Sequence, residues 1–115
     1  MINFGHSLDA IVKESERLKQ VRKADLHAGD WVFVKTLNSV YSIRVVEGGF
    51  YCVSGGWFDQ KNLSPAKITI NGCTWGGSII KVDIVAACGL SLEFGNRVVT
   101  SAIQKIFVLP RGCQN

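Results

Sequence analysis

Side chains that exchange protons near neutral pH, or attack as nucleophiles, are few and widely separated in this chain. Its 115 residues hold two histidines, His6 and His27, and four cysteines, Cys52, Cys73, Cys88 and Cys113. A Ser-His-Asp or Cys-His arrangement needs a histidine within hydrogen-bond reach of its nucleophile. Both histidines precede the strand-rich part of the chain, so only His27, in a connector, is available to it. A structural zinc site needs closely spaced ligand pairs such as Cys-x-x-Cys, whereas these cysteines fall 21, 15 and 25 residues apart. The acids of the strand region, Glu47, Asp59, Asp83 and Glu93, sit beside turns or at polar strand positions and read as solvated surface groups rather than an acid–base pair. Gly76-Gly77-Ser78 has the look of a phosphate loop fragment, but it precedes a strand and no Gly-Lys-Ser/Thr follows. No catalytic residue, metal ligand or cofactor is assigned, and no enzymatic activity is expected.

Two kinds of residue carry a binding signal instead. Trp57 and Phe58 are adjacent in a polar, glycine-rich stretch, and Trp75 is flanked by small residues near Gly76-Gly77. Aromatic rings on loops give large contact area at low entropy cost. The alternatives are that Trp57 tucks under its loop and that the glycines beside Trp75 form a bulge. The second signal is basic: Arg17, Lys19, Arg22 and Lys23 cluster near the N-terminus, with Arg44 and Arg97 in later strands. The net charge is only +4, so these cations read either as a nucleic-acid face or as a solvated surface.

The elements that must position these groups follow from periodicity. Ser7 caps a predicted amphipathic helix over 7–24, with Leu8, Ile11, Val12, Ser15, Leu18 and Val21 on one face. From about residue 30 the period becomes two. Strands are expected over 31–36, 40–46, 50–54, 67–71, 79–85, 90–94 and 97–100, with a last one within 101–109 and a tail over 110–115. Gly48-Gly49 and Gly95-Asn96 read as two-residue hairpin turns, with positive φ at both glycines of the first and at Gly95 in the second. The prediction is a single, mainly β (α+β) domain: one N-terminal helix, then a small curled antiparallel sheet or barrel of about seven to eight short strands over 30–109. Hydrophobic residues make up 47% of the chain, enough for a core without disulfide or metal.

No apolar stretch approaches the ~20 residues of a membrane span. The N-terminus has neither a basic nor an apolar leader region. A cytoplasmic location and reduced cysteines are expected, and no membrane partner.

A helix followed by a small curled sheet is similar in outline to Sm-like RNA-binding barrels and to SH3-like ones, although the two short Sm motifs are missing and nothing transfers residue by residue. The stretch 40–109, with its Gly-Gly pairs and Thr100-Ser101-Ala102-Ile103-Gln104-Lys105-Ile106, resembles small single-domain bacterial proteins carried on mobile gene cassettes. That resemblance implies no activity and no site residue. The leading expectation is a non-catalytic bacterial binding or interaction module that self-associates, as a dimer first of all, or meets another protein through Trp57, Phe58 and Trp75. The alternative is a nucleic-acid-binding small barrel using Arg17, Lys19, Arg22, Lys23, Arg44 and Arg97. The third reading is a ligand-binding barrel or minor enzyme, with a pocket between helix and sheet lined by Trp31, Phe33 or Tyr41 and holding Asp83, Glu93 or His27.

Overall fold

Valine, isoleucine and aromatic residues alternating with polar ones build short strands wherever the computed structural model describes the chain, over residues 16–75 and 79–113. β1 (Glu16–Leu18) and β2 (Gln20–Arg22) come first, then β3 (Trp31–Thr36), β4 (Val40–Val45) and β5 (Tyr51–Gly55). A short helix, α1 (Gly56–Gln60), leads to β6 (Ala66–Ile68), β7 (Ile70–Trp75), β8 (Ile79–Lys81), β9 (Ile84–Ala87), β10 (Ser91–Phe94) and β11 (Ile103–Leu109). All pairings among the described residues are antiparallel. They give a six-stranded sheet in the order β1-β11-β3-β4-β5-β6, a three-stranded sheet β10-β7-β8, and the pair β2-β9.

The mainly antiparallel β architecture agrees with the sequence. The sheets do not join into one closed barrel, and the strands exceed seven or eight because two expected strands are divided and the segment expected as helix adds two more. The strand expected over 97–100 is reduced to an isolated bridge of Val99 with Glu93. One strand expected over 67–71 is interrupted at Thr69, where the chain leaves the large sheet as β6 and enters the small one as β7. The strand expected over 79–85 is divided by a turn at Val82-Asp83. There the Lys23 amide takes the Asp83 carbonyl at 2.8 Å, so that β8 pairs with β7 and β9 with β2.

The predicted helix is not found over its described part. Residues 16–18 and 20–22 are strands, a 3-10 turn occupies Lys23–Asp25, and 7–15 lie outside the described residues. The reason is geometric. A bend at Lys19 lets Leu18 and Val21, three apart, both pack on the core, and that is the spacing a helix face would show. The same mimicry occurs in β11, where a register shift between Ile103 and Lys105 buries both Ile103 and Ile106.

Both expected hairpin turns form, with different geometry. Val46 N–H bonds the Phe50 carbonyl at 3.0 Å, so the first turn spans three residues, Glu47–Gly49, with positive φ at Gly48 and Gly49. In the second, Arg97 carries the positive φ (68°) rather than Gly95. Gly95 is required for space: its N–H bonds the Thr69 carbonyl at 2.8 Å, and a Cβ there would strike the Thr69 side chain.

The main core lies between the large sheet and the smaller strands. Val32, Val34, Ile43, Val53 and Ile106 of the large sheet cluster with Val85, Leu92 and Phe94 of the smaller strands. A second cluster, Trp31, Phe33, Phe107 and Leu109, occupies the alternate positions of β3 and β11, on the opposite face of the large sheet. Tyr41 belongs to the main core and Trp31 and Phe33 to the second cluster, so the three do not line a shared pocket.

Candidate functional site

The expected aromatic contacts separate. Phe58, on α1, is 1% exposed and packs edge-on against Phe94 at 4.9 Å between ring centres, so it is a core residue and presents no contact surface. Trp57 is half-buried, packs edge-on against Phe58 at 5.3 Å, and donates its backbone N–H to the Tyr41 hydroxyl at 3.3 Å. Trp75 is 69% exposed.

Trp75 does not stand alone. The register of the β7–β8 hairpin sets it opposite Ile79, 65% exposed, on one face of the sheet, while Ile80 lies opposite Thr74 on the other face and, like Val82, is also exposed. Thr74, one residue before Trp75, is buried, and its hydroxyl donates to the Ile79 carbonyl at 2.9 Å. β8 is the edge of its sheet among the described residues. The result is an open strand edge with exposed apolar side chains on both of its faces, the arrangement that invites another strand. Sequence reading picked out Trp75 but missed Ile79, Ile80 and Val82. It placed these three only within one continuous strand expected over 79–85.

The basic residues distribute differently from a helix face. Arg17 lies on β1, paired with Phe107. Lys19 is at the bend, Arg22 is exposed at the end of β2, and Arg97 is exposed in its turn. Among the side chains described, Lys23 and Arg44 come to one region, and there they meet Arg111, which sequence reading had left in the tail. A cleft of about 430 Å³ is lined by Gly29, Arg44, Glu47 and Arg111. It shares Ala28, Val45, Val46 and Glu47 with a second lobe of about 340 Å³, lined also by Lys23, Leu26, Phe50 and Tyr51.

Local structure explains each cation's place. The Arg111 N–H bonds Oδ1 of the buried Asp30 at 2.9 Å, while Oδ2 accepts the His27 N–H at 2.8 Å. The Arg111 stem lies against Gly29, whose φ of +96° and missing Cβ leave room for it. Arg44 projects from β4 between Trp31 and Cys52 on the flanking strands. Lys23 donates Nζ–H to the Ile70 carbonyl at 2.7 Å. Its pKa is lowered, because burial penalises the ammonium more than the nearby Asp83 charge supports it. Burial likewise raises the pKa of Tyr51. Lys67 stands 5.1 Å from the centre of the Phe50 ring and fixes that ring at the rim.

The acid–base candidates do not converge. Glu93 accepts Asn71 Nδ2–H at 2.8 Å, Asp83 is exposed at the β8–β9 turn, and the His27 ring is exposed with Nδ1 3.9 Å from Asp30. Among the described residues no three His, Cys, Asp or Glu side chains gather as metal ligands, and no helix is long and apolar enough to cross a membrane.

No protein-family profile matches the chain, and neither a curated protein nor a solved structure does.

Proposed function

We propose that the protein is a non-catalytic binding module that self-associates through the β7–β8 hairpin. The observation that carries this reading is the coincidence of an open strand edge, β8, with exposed Trp75, Ile79, Ile80 and Val82. A second copy fits this edge. Antiparallel pairing of two β8 strands about Ile80 sets Ile80 opposite its counterpart and Ile79 opposite Lys81. The flanking charges, Lys81 and Asp83, are of opposite sign and leave no net repulsion between copies. Such a two-fold contact is the commonest way a chain meets itself. The exposed apolar side chains offer on the order of 400 Å² per copy, roughly 800 Å² in all, below the size of stable specific interfaces and in the range of weak, reversible pairs.

Solution mass by light scattering across a concentration series tests the reading. The wild type is expected to move from monomer to dimer at micromolar concentrations with little dependence on salt, and Trp75→Glu or Ile79→Lys to remain monomeric and folded. A wild type that stays monomeric throughout, or a Trp75→Glu variant that dimerises equally well, sinks it.

A further inference from the structure

We propose that the two-lobed cleft between the Glu47–Gly49 turn and residues 28–29 binds a nucleotide, its phosphate between Arg44 and Arg111 and its ring in the lobe of Leu26, Phe50 and Tyr51. This site is separate from the β8 edge and does not rest on self-association.

Charge distinguishes this cleft from two other grooves among the described residues. A groove at Leu18, Lys19, Cys88 and Gln104 offers one cation, and another at Ser39, Gly55, Asp59 and Gln60 offers none. Here two arginines line one lobe, and neither has a carboxylate within ion-pair distance among the described residues, Glu47 included. Planar guanidinium groups form paired hydrogen bonds to phosphate oxygens, which a lone ammonium cannot. The backbone that carries each arginine is fixed before any ligand arrives, while both side chains are exposed. Asp30 anchors the Arg111 backbone and Gly29 supports its stem, while β4 is a central strand paired on both sides.

The second lobe supplies a different chemistry. Leu26 and Phe50 offer apolar and aromatic surface for a planar base above the buried Tyr51, with Phe50 38% exposed and Lys67 over its ring. Lys23 adds a third cation at its wall. Glu47 belongs to both lobes. It accepts hydrogen bonds from sugar hydroxyls there and repels a phosphate placed on the shared wall, so the anion is directed to the arginine end. Each lobe is of the size small-ligand sites have.

The same chemistry is offered by a free nucleotide or by one residue of a single strand, and titrations followed by amide NMR distinguish them. The probes are inorganic phosphate, a nucleoside monophosphate and a short oligothymidylate. The monophosphate is expected to shift the amides of 28–29, 44–51 and 111 and to bind at least tenfold tighter than phosphate. Arg44→Gln and Arg111→Gln should each weaken it about tenfold, while the distant Lys61→Gln leaves it unchanged. An oligothymidylate that binds tighter still, with steep salt dependence, identifies a strand as the source. An oligothymidylate no better than the monophosphate identifies a free nucleotide. Thermal melts confirm that the variants are folded. Absence of shifts with both nucleotide probes at millimolar concentration overturns the proposal, as does undiminished binding by the folded Arg44→Gln/Arg111→Gln variant.

Discussion

Trp57-Phe58 and Trp75 look alike in the sequence, aromatic residues beside paired glycines, yet one neighbourhood is core and the other is surface. Gly55 and Gly56 lead into α1, which turns Phe58 down onto Phe94 and Tyr41. Near Trp75, β7 runs beyond the edge of the core: Cys73 is buried at 0% exposure, and Trp75, two residues later on the same strand, is mostly solvated. Exposure of an aromatic ring is decided by what the other layer places against it, and glycine neighbours do not report that.

The contrast can be broken by removing the rings. Phe58→Ala should cost about 3–5 kcal/mol of unfolding free energy by urea titration, because it empties a fully packed site. A loss below about 1 kcal/mol would show that α1 is not part of the core.

Cys73 extends the same test along β7. Burial pushes its thiol up to about 11 from 9.0. A raised folded pKa means the neutral thiol stabilises the fold fully below pH 9 and loses that contribution as pH rises through about 11. Stability should fall by on the order of 2 kcal/mol across this window. The fall should be absent in Cys73→Ala, whose stability is lower but flatter in pH. Equal slopes in the two proteins would place Cys73 in contact with water.

Trp57→Ala, removing a half-buried ring, should cost about 1–2 kcal/mol, intermediate between the other two aromatics. Trp75→Ala should change monomer stability by no more than about 0.5 kcal/mol while abolishing dimerisation in the light-scattering series. A larger loss of monomer stability would make Trp75 a packing residue and remove the distinction between the two regions.

Much of the large sheet was legible. β3 and β4 appear at their expected positions because β3 is apolar on both faces, Val32 and Val34 toward the main core and Trp31 and Phe33 toward the second cluster, and β4 alternates Tyr41, Ile43 and Val45 with Ser42 and Arg44. The N-terminal segment misled because a bent strand and a helix both place residues three apart on one side, and Leu18 and Val21 do so through the bend at Lys19. The candidate cleft was less legible still. Arg44 was expected as a surface cation, but Glu47 was read only as a turn acid and Arg111 as tail. Their meeting depends on the buried Asp30 capturing the Arg111 amide, 81 residues away in sequence.

The sequence by itself determined an antiparallel β protein with glycine-bearing hairpins and a sufficient apolar core, since alternation and turn chemistry act over a few residues. Tertiary structure alone decided where strands bend from one sheet to another, which aromatic rings are covered, and which cations share a cleft. Those outcomes depend on pairings between distant segments such as β2 with β9 and β7 with β10. Such pairings gain their free energy only after both partners are folded, so no local pattern records them.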